Sequence, residues 1–290
     1  MKHAIIDVGS NSVRINIFAD ENIIWRHLTT TRLGLGLVDG DCLTKKSIKD
    51  TVIAIQEYVK IAKESDSTVY IFGTEAIRKA KNSNLLLSEV QEKTGCSIDV
   101  ISGELEGEIG FIGGSKNSKE NGVAVLDIGG ASTEIAVMTD CGLYSKSVKI
   151  GSVLATFKSK DDKEFAKEIT NNALKDFSET PKINKLYGIG GTITAIAAVL
   201  SKKPQYDINI TDGFVIKREQ LKDLCDTLFE MSLEKREQIT CISKSRAQTI
   251  ACGAQILLCV MDKFGIDKIT SSESDNLYGY LKKCVLSKEI

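Results

Sequence analysis

Histidine and proline are scarce in this sequence of 290 residues, which contains two of each. With only His3 and His27, the chain lacks the ligands of a histidine-rich metal centre, and a Ser-His-Asp or Cys-His hydrolase is disfavoured. Gly/Ser-rich and acidic tracts are also absent, which argues against long disordered linkers. Any hydrolytic chemistry therefore has to use carboxylates, hydroxyls, backbone amides and a metal held by oxygen.

Several other absences narrow the function classes. No two of the eight cysteines have the C-x-x-C spacing of a zinc or redox site, and scattered free thiols are typical of a reducing cytosol. No segment reaches the ~18 apolar residues of a membrane span, and the N-terminus does not resemble a signal peptide. The net charge of −1 provides no general field for nucleic acid or anionic lipid, so a polyanionic ligand would need a local pocket. We expect a cytoplasmic protein without nucleic-acid or membrane partners.

An internal repeat is the main organising feature. The length indicates about two domains. Residues 4–18 (AIIDVGSNSVRINIF) align without gaps with residues 124–138 (AVLDIGGASTEIAVM), at an offset of 120. Each copy has the pattern of a strand, a short Asp-x-Gly turn and a second strand. The pattern favours duplication of one α/β unit, with domains at 1–121 and 122–290, although a chance match remains the alternative.

Helical patterns alternate with these strands. Thr44 is a predicted cap for a helix with apolar residues at steps of three and four, and Asn82 is a predicted cap for a helix through Val90. Residues 69–72 and 98–101 have the composition of strands. Strands alternating with helices indicate crossover connections and mixed sheets.

The two hairpin turns are the strongest candidates for ligand binding. We name residues 9–12 the first loop and residues 129–133 the second loop. Such turns, rich in glycine and small hydroxyls, direct backbone amides into one space and suit phosphate oxygens. Asp7 and Asp127, which precede the turns, are candidate ligands of Mg²⁺. Ordinary hairpin turns are the alternative, but the presence of two related turns favours phosphate binding.

Further candidates follow other strands. The third loop, residues 190–192, precedes an apolar helix, and helix N-termini bind anions; close packing of the helix on the sheet is the alternative for its glycines. Residues 104, 106 and 108 are all glutamates at a predicted helix start, where acidic residues are also favoured by the helix dipole alone. Arg78 follows a strand, and the sequence leaves open whether it binds phosphate or is solvated.

Five segments together resemble one known family. They are DVGSNSVR (7–14), GTEAIRKAKN (73–82), ISGELEG (101–107), DIGGASTE (127–134) and GIGGT (188–192). In this order and spacing they are similar to the exopolyphosphatase/guanosine pentaphosphate phosphatase (Ppx/GppA) family, within the actin-like ATPase superfamily. The resemblance implies an α/β fold with two ribonuclease H-like domains, each a mixed sheet with flanking helices, and an active site in the interdomain cleft. It further implies that residues 273–290 pack back on the first domain.

The resemblance also implies roles for the matching residues. Glu106 matches the catalytic base, and Asp127 and Glu134 match acidic residues that act in catalysis and, with Asp7, hold Mg²⁺ (or Mn²⁺). The expected phosphate-binding residues are Gly9, Ser10, Asn11, Ser12, Arg78, Gly129, Gly130, Ser132, Thr133, Gly190, Gly191 and Thr192.

Three positions depart from the family pattern. Glu108 stands where the family has arginine, Ala131 replaces a glycine of the second loop, and residues 275–279 differ from the usual Gly-Leu-Arg-Glu-Gly run. From the resemblance we expect the short, two-domain form of the family, without the C-terminal HD-like helical domain. The departures put the substrate preference in question more than the reaction.

The expected activity is Mg²⁺-dependent hydrolysis of the terminal phosphoanhydride of inorganic polyphosphate. The close alternative is a guanosine pentaphosphate (pppGpp) 5′-phosphohydrolase, which uses the same chemistry and which composition does not separate from it. Less favoured are a small-molecule kinase of the same superfamily and a non-catalytic polyphosphate or nucleotide sensor. A homodimer is possible.

Overall fold

The chain forms two compact units, Met1–Ile109 with Asn276–Ile290 (unit 1) and Gly110–Asp275 (unit 2). The computed structural model describes residues 1–37 and 40–288. Unit 2 begins within the helix Gly103–Gly114. The division predicted from the sequence, at 121/122, lies in the loop that follows this helix.

Unit 1 is built on a five-stranded sheet with strand order β3-β2-β1-β4-β5. Its hairpin strands are antiparallel, whereas β4 and β5 continue the sheet parallel to β1. The strands are β1 (Lys2–Val8), β2 (Ser12–Ala19), β3 (Asn22–Thr30), β4 (Thr68–Gly73) and β5 (Asp99–Val100). The helices are α1 (Lys45–Glu64), α2 (Glu75–Lys79), α3 (Ser83–Thr94) and α4 (Gly103–Gly114), with a 3₁₀ turn at Leu33–Leu37.

Unit 2 has a six-stranded sheet with strand order β10-β11-β9-β6-β7-β8. Its strands are β6 (Val123–Ile128), β7 (Thr133–Thr139), β8 (Gly142–Val148), β9 (Lys185–Ile189), β10 (Val215–Lys217) and β11 (Lys268–Ser271). Its helices are α5 (Ser152–Ser159), α6 (Lys163–Leu174), α7 (Gly190–Leu200), α8 (Ile208–Thr211), α9 (Arg218–Glu230), α10 (Leu233–Arg236), α11 (Lys244–Ala247) and α12 (Ile250–Phe264). The final helix, α13 (Asn276–Tyr280), continues into a π-helical turn at Leu281–Val285 and a 3₁₀ turn at Leu286–Lys288, all in unit 1.

The internal repeat corresponds to equivalent strands in the two sheets. In each unit an antiparallel hairpin pairs its first strand with the next strand in parallel. The register is the same in both copies: Asp7 pairs with Arg14, and Asp127 pairs with Glu134. The mixed α/β sheets expected for both halves are therefore present.

Both sheets are covered on two faces. In unit 1, one face packs on α1 and α3, with Ile15 and Ile55 fully buried, and the other face packs on α4 and the C-terminal segment. There, Phe72 and Tyr280 stack with ring centroids 4.6 Å apart. In unit 2 the large core lies between the sheet and helices including α12, whose residues 250–261 are all buried, while Phe111 of α4 belongs to a smaller cluster on the other face.

The helix caps expected from the sequence differ in outcome. Thr44 caps α1, where its hydroxyl accepts a hydrogen bond from the Ser47 amide at 3.0 Å. Asn82 precedes α3 but makes no side-chain cap. Instead, its side-chain oxygen accepts a hydrogen bond from the Leu43 amide at 2.8 Å, and its side-chain nitrogen donates one to the Leu43 carbonyl at 3.0 Å. This long-range contact takes the place of the local cap. None of the helices in the described residues is long and apolar enough to cross a membrane.

Candidate functional site

The candidate residues of unit 1 meet at one edge of its sheet. The carboxyl ends of β1, β4 and β5 are adjacent, since Val8 pairs with Gly73 and Gly73 pairs with Val100. The first loop, α2 with Arg78, and α4 with Glu106 follow these three strand ends. In open α/β sheets, ligands bind beyond the carboxyl ends of the strands, so the topology brings the predicted groups of this unit together.

The first loop is fixed by backbone hydrogen bonds. The Gly9 amide donates to the Ser12 carbonyl at 3.1 Å, closing the turn. The carbonyls of Ser10 and Asn11 accept from three amides within residues 31–34, at 2.7–3.1 Å. With its carbonyls held by the chain that follows β3, the loop has a defined conformation.

Asp7 is buried, with 3% of its surface exposed, and is paired with Arg14. The guanidinium donates to Oδ2 of Asp7 from Nε at 3.0 Å and also from Nη2. This two-donor contact compensates the charge of the carboxylate. A metal ion at Asp7, which the sequence predicts, would share this carboxylate with Arg14.

Glu106 projects from the start of α4 toward Arg78. Ser102 caps the helix, accepting from the Leu105 amide at 3.1 Å. Arg78 donates from Nη2 to Oε2 of Glu106 at 2.8 Å and from Nη1 to the Ile101 carbonyl at 2.7 Å. The two side chains are 25% and 27% exposed, so the pair is largely withdrawn from water while still reachable.

Burial raises the pKa of Glu106 above its ordinary value, and the negative charges of Asp7 and Glu75 act in the same direction. The hydrogen bond and positive charge of Arg78 oppose this by lowering the pKa. A general base works best when its pKa approaches the working pH. The environment of Glu106 is therefore suited to proton abstraction. Asp7 lies close enough for its negative charge to raise the pKa of Glu106.

Two of the departures from the family pattern, Glu108 and the segment 275–279, can be explained by contacts within unit 1. Glu108 accepts a hydrogen bond from Nζ of Lys283 at 2.6 Å, so its negative charge is matched within the unit. At Gly279, a Cβ atom would lie 1.8 Å from the Ile109 carbonyl oxygen. The altered segment 275–279 thus keeps its last glycine where α4 and α13 pack backbone against backbone.

The second loop has the same turn as the first but a different support. The Gly129 amide donates to the Ser132 carbonyl at 3.0 Å. The carbonyls of Gly129 and Gly130 accept from the first three amides of α5 at 2.9–3.0 Å. At Gly151, which precedes this helix, a Cβ atom would lie 2.5 Å from the Ala131 amide nitrogen. The start of α5 is thus bonded to the loop and holds it in place.

Two predicted phosphate ligands have their side chains inside unit 2. The Thr133 hydroxyl donates to the Ile150 carbonyl at 2.5 Å, and the residue is fully buried. Thr192 is 3% exposed, and its methyl group lies against Gly253, where a Cβ atom would approach within 2.5 Å. Ser132 is half-buried at the loop. The structure therefore does not bring the Thr133 and Thr192 hydroxyls to the loop surface.

Asp127 and Glu134 lie side by side on β6 and β7. Glu134 accepts a hydrogen bond at Oε1 from the Ser147 hydroxyl at 2.7 Å. Asp127 lies against the third loop: Gly190 has φ +80°, and a Cβ atom there would be 2.5 Å from Oδ1 of Asp127. Glycine is required on both counts, because the left-handed conformation and the nearby carboxylate each disfavour a side chain.

The third loop also contacts an arginine that the sequence did not indicate. Helix α7 begins at Gly190 without a side-chain cap, so its first turn offers backbone amides and the positive end of the helix dipole. Arg246 of α11 lies over this turn, since a Cβ atom at Gly191 would be 2.0 Å from its Nη2. Arg246 is 55 residues from the loop and belongs to no recognisable motif, so only the fold reveals the contact.

The donor set of unit 2 fits Mg²⁺ by its chemistry. Asp127 and Glu134 are directly opposed carboxylates on one face of the sheet, and Mg²⁺ prefers one or two carboxylates together with water and phosphate oxygens. Within residues 1–37 and 40–288, no three or more His, Cys, Asp or Glu side chains cluster as a metal site. Within unit 2, the protein side of the predicted site is this carboxylate pair, and the third predicted ligand, Asp7, belongs to unit 1.

Comparison with known proteins gives one consistent family. The sequence pattern of the Ppx/GppA phosphatase family matches residues 16–280. The chain is 30% identical to a bifunctional 3-dehydroquinate synthase/phosphatase of Fusobacterium nucleatum, over 98% of this chain and 47% of that protein. It is 25% identical to exopolyphosphatase 2 of Mycobacterium tuberculosis, over 95% of this chain and 96% of that protein.

The chain spans about half the length of other curated relatives. It is 26% identical to a guanosine-5′-triphosphate,3′-diphosphate pyrophosphatase of Vibrio atlanticus, over 92% of this chain and 56% of that protein. Among solved structures, the Ppx/GppA family member of Aquifex aeolicus matches with a TM-score of 0.85 and 31% identity, over 100% of this chain and 99% of that one. The expected α/β fold, with two mixed sheets and flanking helices, is confirmed.

Proposed function

Because the chain belongs to the Ppx/GppA phosphatase family, we propose that it hydrolyses the terminal phosphoanhydride of inorganic polyphosphate and releases orthophosphate. One observation carries the proposal: Glu106, with a raised pKa, is held by Arg78 at the sheet edge beside the first loop. This is the arrangement required of a general base that must act near phosphate oxygens.

Glu106 takes a proton from the attacking water. The water oxygen forms the new bond to the terminal phosphorus, the bond from phosphorus to the bridging oxygen breaks, and the shortened polyphosphate leaves with the electron pair. Arg78 orients the Glu106 carboxylate through its 2.8 Å contact and neutralises part of the substrate charge. Phosphoryl transfer depends mainly on positioning and electrostatic stabilisation. It does not require a histidine-rich site, so a chain with two histidines can catalyse it.

The loops bind the transferred group in this proposal. The first and second loops supply backbone amides and hydroxyls, and the third loop supplies the start of α7. Arg246, which lies against Gly191, adds a guanidinium at that loop. That the groups of both units act on one phosphoryl group is part of the proposal.

Asp127 and Glu134 would hold Mg²⁺ in unit 2, where they oppose each other across β6 and β7. When bound, the ion supplies positive charge to the phosphoryl oxygens as a Lewis acid. Asp127 is oriented by its contact with Gly190, and Glu134 by Ser147. Mn²⁺ has the same preference for oxygen ligands and is expected to replace it.

Polyphosphate is favoured over pppGpp by the extent of the matches. The exopolyphosphatase 2 relative is matched over 96% of its length, whereas the pyrophosphatase relative is matched over 56%. The pppGpp 5′-phosphohydrolase is the second candidate, because it breaks the same kind of bond and has a named relative. The less favoured alternative, a small-molecule kinase, differs from both hydrolases because it would consume ATP only in the presence of an acceptor alcohol.

The test is orthophosphate release by the purified protein from polyphosphates of several lengths, pppGpp and ATP, each with Mg²⁺ and with EDTA. We expect Mg²⁺-dependent release, with kcat/KM highest for polyphosphate. Faster turnover of pppGpp would transfer the assignment to the second candidate. Binding without release from any substrate would indicate a sensor and contradict the proposal.

A further inference from the structure

A serine hydroxyl contacts Glu134 from the edge strand of the second sheet. Ser147 lies on β8, in register with Glu134 on β7, and its Oγ donates to Oε1 of the carboxylate at 2.7 Å. Paired residues on neighbouring antiparallel strands point to the same face, with Cβ atoms roughly 5 Å apart. The register of the sheet therefore sets this contact.

The internal repeat provides a comparison for this position. In unit 1, the residue equivalent to Glu134 is Arg14, whose partner on the edge strand β3 is Leu28. Leu28 is 47% exposed, so the sheet architecture accepts an apolar residue there. The hydroxyl occurs in the copy in which the neighbouring residue is a carboxylate, and this points to a role in the site.

The repulsion between the two carboxylates indicates what the Ser147 hydroxyl does. Asp127 and Glu134 are directly opposed, and like charges in that position repel each other. A hydrogen bond donated to a carboxylate stabilises its charged form and limits its rotamers. Ser147 thus favours one orientation of Glu134 before any cation is bound.

We propose that Ser147 is a positioning residue, which holds the Glu134 carboxylate in the orientation that binds the divalent cation beside Asp127. The inference rests on the proposed function, since that function makes Glu134 a cation ligand. Loss of a side chain that orients a metal ligand typically weakens metal affinity about 10- to 100-fold.

The experiment is a titration of Mn²⁺ into the protein without substrate, in which the EPR signal of the free ion gives the dissociation constant. Ser147→Ala removes the hydroxyl, and Ser147→Thr keeps it. The matched control is Ser145→Ala, since Ser145 is an exposed residue two positions earlier on the same strand, opposite Ala136. We expect about ten-fold weaker Mn²⁺ binding for Ser147→Ala and affinities near wild type for Ser147→Thr and Ser145→Ala.

Equal Mn²⁺ affinity of Ser147→Ala and wild type, or no Mn²⁺ binding by wild type, would overturn the inference. Equal weakening in Ser145→Ala would do the same, because it would indicate a general effect on β8. Failure of the proposed function has a different signature: wild type would bind Mn²⁺ and release no orthophosphate from any substrate.

Discussion

At the scale of single residues, Glu106 and Arg78 are the central pair of the proposed chemistry. The carboxylate is held in a place where burial and two neighbouring carboxylates raise its pKa, whereas Arg78 opposes them by direct contact. The arginine therefore favours the ionised form of Glu106 and holds its carboxylate in position. Removal of Arg78 should therefore raise the pKa of Glu106 further.

Arg78→Met is expected to move the acid limb of the pH–kcat/KM profile to higher pH. The base must be deprotonated, so activity falls as the pH decreases through the pKa of Glu106, and the loss of Arg78 removes a contribution that lowers this pKa. The measurement is phosphate release across pH for Arg78→Met and for Lys93→Met, an exposed lysine of α3 paired with Glu89. A limb that stays in place or moves to lower pH in Arg78→Met would count against the assigned role.

The sequence was informative for residues with local signals and uninformative for long-range contacts. The position of Glu106 at the start of a helix follows from the three glutamates at 104, 106 and 108, and α4 begins there. In contrast, Lys283 and Arg246 reach Glu108 and Gly191 only through the fold. The inward orientation of Thr133 depends on the Ile150 carbonyl, which no spacing rule identifies.

At the scale of elements, the loops are held by the structures that follow them. The repeat predicted the two hairpins and their common register because strand patterns and Asp-x-Gly turns are local features. It did not predict that the first loop is supported by residues 31–34 and the second by α5. These supports belong to parts of the chain outside the repeat.

Gly190→Ala tests the coupling between the third loop and Asp127. The new methyl group would lie 2.5 Å from Oδ1 of Asp127, which is too close for the carboxylate to keep its place, and a misplacement of about 1 Å can reduce activity about 100-fold. The matched control is Gly265→Ala, since Gly265 has φ +63° with nothing within 4 Å of a Cβ atom. Both variants should lose about 1 kcal/mol of stability through the left-handed conformation.

Thermal unfolding by circular dichroism gives the stabilities, and phosphate release gives the activities. Only Gly190→Ala should lose activity. If the two variants had equal activity, Asp127 would not depend on the third loop for its position.

At the scale of the whole molecule, the last segment of the chain belongs to the first unit. Leu281 is fully buried there, in a cluster that includes Phe72 and Ile109. Lys282, the next residue, forms a partly exposed ion pair with Glu21. The resemblance to the family indicated the return of this segment, whereas its contacts depend on residues far apart in sequence.

Leu281→Ala should lower the stability of unit 1 by about 2–5 kcal/mol, because it leaves a cavity in the core. Lys282→Ala should cost about 0–1 kcal/mol, as is usual for surface ion pairs. The single tryptophan, Trp25, lies on β3, so its fluorescence in urea reports on unit 1. Equal unfolding midpoints for the two variants would contradict the packing described for this segment.

The central claim is that Glu106 is the general base of a phosphoanhydride hydrolase, and Glu106→Gln tests it most directly. The control is Glu104→Gln, an exposed residue in the same helical turn. With polyphosphate, Mg²⁺ and an unchanged thermal unfolding curve, kcat should fall about 10²- to 10⁴-fold in Glu106→Gln and stay near wild type in Glu104→Gln. Release of orthophosphate by Glu106→Gln at the wild-type rate would contradict the account.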